Sequence, residues 1–254
     1  MIEKDDTEGV RILRFNRPPS NTLTPDMLRQ IRENVDSART DPHVRCILLT
    51  SALPKYFSAG LDIETIFAAS EESRIDLFIG LLETHRVLAA YPGPTIASIG
   101  GYAMLGGWIL AMACDFRWMA EESGRFALSE IRYGLTPTEF LIRRLRVMGA
   151  DQVLTRQLVL RGKTLKAHEA FSGRFVDRLV ATADLDAQVL QEAKKLAKLP
   201  PKAYASIKAS FAKSAGYEDG LWERRMKDFR EIFEGPEARI GLAAMLEKKM
   251  PRWD

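Results

Sequence analysis

Residues 101–130, GYAMLGGWILAMACDFRWMAEESGRFALSE, decide the reading of this chain. Gly106 and Gly107 make a small-residue turn that opens an apolar run of helical length. A strand-like run then leads to one carboxylate, Glu130. Upstream, Ala59-Gly60-Leu61 in YFSAGLDI makes a second tight turn. Two turns that can each offer a free backbone N–H, together with one acid, suffice to polarise a carbonyl and move a proton.

Strand and helix signals alternate on both sides of this stretch. Residues 10–15 alternate as a strand, and RPPSN at 17–21 breaks them into an extended loop. Thr24-Pro25 starts a helix that runs to about Arg39, with a capping residue followed by proline at the first turn. VRCILLT at 44–50 and residues 95–99 are short continuous apolar runs, as expected of parallel strands covered on both faces. A long helix that includes residues 75–88 joins them. Such alternation over the first 180 or so residues predicts an α/β architecture built from βαβ-type units. After Val180 only helical segments follow, punctuated by Pro or Gly. This divides the chain into a core at 1–183 and a helical region at 184–254.

The totals exclude several classes. A chain of 254 residues, 46% hydrophobic and 28% charged, can bury a core without disulfides. Cys46 and Cys114 both sit in apolar runs and read as buried reduced thiols, which suits a cytoplasmic protein. The first ten residues are acidic and lack an apolar core, so no export signal or transit peptide is expected. No apolar run is long enough for a membrane span. With a net charge of +3 and no basic block, a nucleic-acid partner is not expected either. Arg143, Arg144 and Arg146 read as a solvated helix face. His43, His85 and His168 are scattered, read as surface residues, and offer no metal spacing. Arg161-Gly162-Lys163-Thr164 lacks the first glycine of a phosphate loop, since position 157 is Gln157.

Each candidate residue has an ordinary reading beside its functional one. Asp62 can simply cap a helix beginning near Ile63, while Gly60 permits close approach to an oxygen bound by the Leu61 N–H. Gly106 and Gly107 fit tight helix–strand packing, and equally a helix N-terminus with N–H groups free to meet an oxyanion. Glu130 can be a loop carboxylate, but its apolar neighbours would raise its pKa towards neutrality. Glu139 fits a capping box with Thr136, and could also reach a substrate as a rival acid.

The segments FNRPPSNTLTPDML (15–28), ILLTSALPKYFSAGLDI (47–63), IGGYAMLGGWILAMACDFRWMAE (99–121), FALSEIRYGLTP (126–137) and LVLRGKTLKAHEAFSGRFVDRLV (158–180) together resemble the crotonase (enoyl-CoA hydratase/isomerase) superfamily. That resemblance implies a spiral of ββα turns with a C-terminal helical layer used for trimerisation, often as a dimer of trimers. It implies an acyl-CoA thioester substrate and no separate cofactor, coenzyme A entering with the substrate. By position, Leu61 and Gly106 become the oxyanion donors and Glu130 the acid. Ser58, Ala59, Gly60, Asp62 and Ile63 become the loop that contacts the CoA adenine. Met245 and Lys248 match tail positions that approach CoA, although Lys248 also reads as a solvated lysine. Hydratases of the family carry two glutamates, and the first falls here on Ile109. The overall pattern looks most like Δ3,Δ2-enoyl-CoA isomerases, which keep only the later acid. A hydratase, another crotonase-type enzyme and a non-catalytic acyl-CoA binder are the alternatives.

Overall fold

The computed structural model describes residues 1–216, 219–247 and 249–253. The chain opens with an antiparallel pair, β1 (Ile2–Thr7) and β2 (Val10–Phe15), followed by α1 (Pro25–Thr40). Next come β3 (Cys46–Ser51), β4 (Tyr56–Ser58), α2 (Ile63–Ala68) and α3 (Glu71–Ala89). A second turn of the spiral is β5 (Thr95–Ile99), β6 (Tyr102–Met104) and α4 (Gly106–Ala113). A third is β7 (Phe116–Ala120), β8 (Arg125–Ala127), a 3-10 turn (Glu130–Tyr133), α5 (Glu139–Val147) and α6 (Gln152–Arg161). Then β9 (Leu165–Lys166), α7 (Ala167–Ser172) and β10 (Arg178–Val180) close the sheets. The tail is helical: α8 (Leu185–Leu196), α9 (Pro201–Ala215), α10 (Asp219–Phe233) and α11 (Pro236–Leu246).

Each turn lays one strand on a large sheet and the next on a small one. The large sheet runs β1-β2-β3-β5-β7-β10 and the small one β4-β6-β8-β9. Apart from the β1–β2 and β8–β9 pairs, neighbouring strands are parallel. This is the ββα spiral expected from the sequence. The apolar runs of β3 and β5 are buried along almost their whole length, as strands covered on both faces must be. One cover is α8, whose Leu185, Val189 and Ala193 pack on Ile12, Leu48 and Ile96. The other face meets α1, whose Met27, Leu28, Ile31, Val35 and Ala38 form a helical stripe. Thr24 accepts from the Met27 N–H to cap that helix, and Pro25 occupies its first turn.

Every residue of α4 is buried, which explains the unbroken apolar run in the sequence. Arg144, read as part of a solvated helix face, in fact serves the interior. Arg144 is buried and donates to the Met112 and Cys114 carbonyls, so it satisfies the C-terminal end of α4. Arg117 is buried likewise, with Cys114, Asp115 and Phe175 carbonyls and Asp177 around it. His85 also departs from its expected surface position. It lies fully buried on α3, with Nδ1 2.7 Å from the Ile109 carbonyl oxygen and its ring edge-on to Phe140. Burial holds its pKa down at about 3, so the ring is neutral. Both cysteines are free and buried. Among the described residues, no helix is long and apolar enough to cross a membrane.

Candidate active site

The turn after β4 is fixed by the N-terminal loop. Asn21, fully buried with φ of 53°, donates through its side chain to Ser51 Oγ and to the Tyr56 and Phe57 carbonyls. Ser58 Oγ donates back to the Asn21 carbonyl at 2.7 Å and accepts from the Gly60 N–H. The Leu23 N–H donates to the Gly60 carbonyl, and the Asp62 N–H donates to the Leu23 carbonyl. These bonds pin the backbone on both sides of Leu61.

Gly60 has φ of +95°, a region closed to most side chains. A Cβ there would lie 3.1 Å from the Met104 carbonyl oxygen and 3.2 Å from the Gly106 nitrogen. The two glycine turns therefore abut, and the Leu61 and Gly106 N–H groups sit on adjoining backbone. Gly106 opens α4, where the first N–H groups have no intrahelical partner and carry the positive end of the helix dipole. Leu105 precedes it at φ 47°, ψ −117°, a sparsely populated conformation of the kind that gathers at functional sites. Gly107 has the packing role instead. A Cβ on it would meet the Ser58 carbonyl oxygen at 2.4 Å.

Leu61, Gly106, Ile109 and Glu130 face one pocket, together with Ile63 and Met245. Its remaining wall is mainly apolar, including Phe78 and Leu81 of α3, Phe229 of α10 and Leu242 of α11. Glu130 begins the 3-10 turn and is buried. Its Oε2 has no hydrogen-bond partner. Burial pushes its pKa up to about 7, against a smaller opposing effect of a backbone N–H. A carboxyl poised near neutrality inside an apolar pocket can both take and return a proton. Among the described lining residues Glu130 is the one carboxylate, and Ile109 puts an apolar side chain into the same wall.

The other candidates lie around this centre. Ser58, Ala59 and Gly60 form the backbone turn beneath it. Asp62 caps α2 by accepting from the Thr65 N–H and is paired with Arg17 at 2.8 Å. Burial would raise its pKa, but bonds from Thr22 and Thr65 and the Arg17 charge outweigh that and leave it lowered. Lys248 lies outside the described residues. Glu139 is not in the pocket. It is exposed and ion-paired with Arg143 one helical turn on. The capping box with Thr136 does not form either. Thr138, not Thr136, is the N-cap of α5, and Thr136 Oγ1 donates to the Pro137 carbonyl. Packing overrides the local signal: the helix begins where Phe140, Leu141 and Leu145 can enter the core.

The sequence reading missed three features of the site. His85 braces the Ile109 carbonyl, Thr138 lines the pocket, and Phe229 and Leu242 close it. Leu242 was detectable, since it stands one helical turn before Met245 on α11. The other positions depend on packing between distant segments and leave no local pattern.

A family profile described as enoyl-CoA hydratase/isomerase matches residues 5–254. A Bacillus subtilis (strain 168) protein named "Probable enoyl-CoA hydratase" is 31% identical over 252 residues, covering 96% of this chain and 95% of that one. A crotonyl-CoA hydratase of Syntrophomonas wolfei is 30% identical over 257 residues, covering 98% and 95%. Human mitochondrial delta3-delta2-enoyl-CoA isomerase superposes with a TM-score of 0.89 over 98% of this chain and 96% of that one. At 23% identity that likeness concerns the fold alone.

Proposed function

The chain belongs to the enoyl-CoA hydratase/isomerase family, and we propose that it moves the double bond of a 3-enoyl-CoA to the 2-position. It is a crotonase-type acyl-CoA enzyme; the isomerase assignment is the finer step. The observation that carries it is that Glu130 is the one carboxylate among the described pocket residues, with the apolar Ile109 in the same wall.

In this mechanism the thioester carbonyl oxygen accepts from the Leu61 and Gly106 N–H groups. They stabilise the negative charge that develops there, which acidifies the C2 protons. Ionised Glu130 removes one of these protons, giving a dienolate and a neutral carboxyl. The same carboxyl protonates C4, and the double bond comes to rest between C2 and C3. No water is added and the carboxylate is regenerated. Apolar walls around Glu130 keep solvent from quenching the dienolate.

Incubation with a 3-enoyl-CoA should raise the absorbance of the conjugated thioester, and Glu130→Gln should slow that rise by about 10²–10⁴-fold while acyl-CoA still binds. Full turnover by the Gln variant would move the assignment to another acid. The names of the relatives favour a second reading, hydration of a 2-enoyl-CoA. It would show as a loss of the same absorbance from a 2-enoyl-CoA, and Ile109 argues against it. No change with either substrate would leave acyl-CoA binding alone. The same reading expects a homotrimer or a dimer of trimers, measurable by light scattering.

A further inference from the structure

Thr138 is a pocket residue to which the proposed reaction gives no task. It is 6% exposed and lines the cavity with Glu130, and its Oγ1 is buried without a hydrogen-bond partner. This absence is unusual for its position. Thr138 is the N-cap of α5, where a threonine hydroxyl ordinarily accepts from an N–H of the first turn, yet no such bond forms. The neighbouring Thr136 hydroxyl is already bonded to the Pro137 carbonyl.

A buried hydroxyl with no partner is destabilising, and valine would fill the same space without that cost. What enters the pocket can supply that partner, since Thr138 lines it. The thioester oxygen is taken by Leu61 and Gly106, and the reacting carbons by Glu130. What remains for Thr138 is the rest of the acyl chain, against walls that are otherwise mainly apolar.

Building on the acyl-CoA reading above, we propose that Thr138 is a specificity-determining residue. It selects acyl-CoA substrates whose acyl chain carries a hydrogen-bonding oxygen over plain hydrocarbon chains of equal length. A site built to hydrogen-bond a substrate oxygen discriminates strongly against the analogue that lacks it, because its own polar group is then left unpaired.

The test is calorimetric and needs no turnover. Hexanoyl-CoA and its positional hydroxyhexanoyl-CoA isomers would be titrated into wild type, Thr138→Val and Thr138→Ser. At least one hydroxy isomer should bind wild type about tenfold more tightly than hexanoyl-CoA, the size of effect one hydrogen bond gives. That preference should collapse in the Val variant and return with Ser, which also controls for misfolding. The proposal is overturned if wild type prefers no hydroxy isomer, or if the preference survives in Val. It is equally overturned if Thr138→Val shifts the pH profile of turnover, since the hydroxyl would then be serving Glu130. Binding without isomerisation would sink only the isomerase reading, and failure of every acyl-CoA to bind would sink both.

Discussion

Glu130 links the chemistry of the pocket to the pH behaviour of the protein. As a base it must be ionised, so kcat/KM for isomerisation should rise with pH through about 7 and then level off. Stability should move the opposite way. The folded carboxyl holds its proton up to about 7 while the unfolded one releases it near 4.5, so the folded state binds more protons between those values. Stability is therefore present below about pH 4.5 and lost progressively as pH rises towards 7. Glu130→Gln should remove this loss and make the variant more stable than wild type above pH 7, by roughly 3 kcal/mol in urea titrations. A variant no more stable at pH 8 than at pH 5, relative to wild type, would contradict the buried, unpartnered carboxyl. Glu130, Leu61 and Gly106 could be picked out from the sequence because each belongs to a short local pattern. Thr138 and His85 could not, because burial and a missing partner are properties of segments brought together by folding.

At the scale of elements, the proposed oxyanion geometry rests on how closely α4 approaches β4. Gly107 sets that distance, since an added Cβ would be driven into the carbonyl oxygen of Ser58, a residue anchored by its hydroxyl on the Asn21 carbonyl. Gly107→Ala should cost about 2 kcal/mol in stability and lose activity besides, because α4 carries the Gly106 N–H. Gly80 in α3 is the control. Its nearest prospective neighbour is 3.9 Å away, and φ there needs no special freedom. Gly80→Ala should stabilise the helix by about 0.5–1 kcal/mol and leave activity unchanged. Denaturant midpoints of the two variants should thus move in opposite directions. Strands and helices of the core were readable because their periodicity and caps agree with their burial. The start of α5 was not, because the Thr136-to-Glu139 pattern supports one helix start and the apolar side chains require another.

For the whole molecule, a buried polar cluster ties α9 of the helical tail to the sheets. Lys208 of α9 donates to the Gly93 carbonyl, Thr95 Oγ1 and Asp115 Oδ2, and the Tyr204 hydroxyl donates to the same Asp115 oxygen. The lysine is 8% exposed and the aspartate 18%. Lys208→Met keeps the side-chain stem but strands the Asp115 charge, so it should lower stability by about 3 kcal/mol. Lys208→Met with Asp115→Asn should recover much of that loss, as a double-mutant cycle would show. This cluster was invisible in the sequence, where Lys208 reads as one more polar residue on a helix.

The tail has a consequence for how the protein is made. Phe229, Leu242 and Met245 finish a pocket whose first wall is laid down at Leu61. All three must leave the ribosome before the cavity can close, so a nascent or C-terminally clipped molecule has Leu61, Gly106 and Glu130 but an open pocket. The pocket is thus complete only once α11 has folded back onto the core.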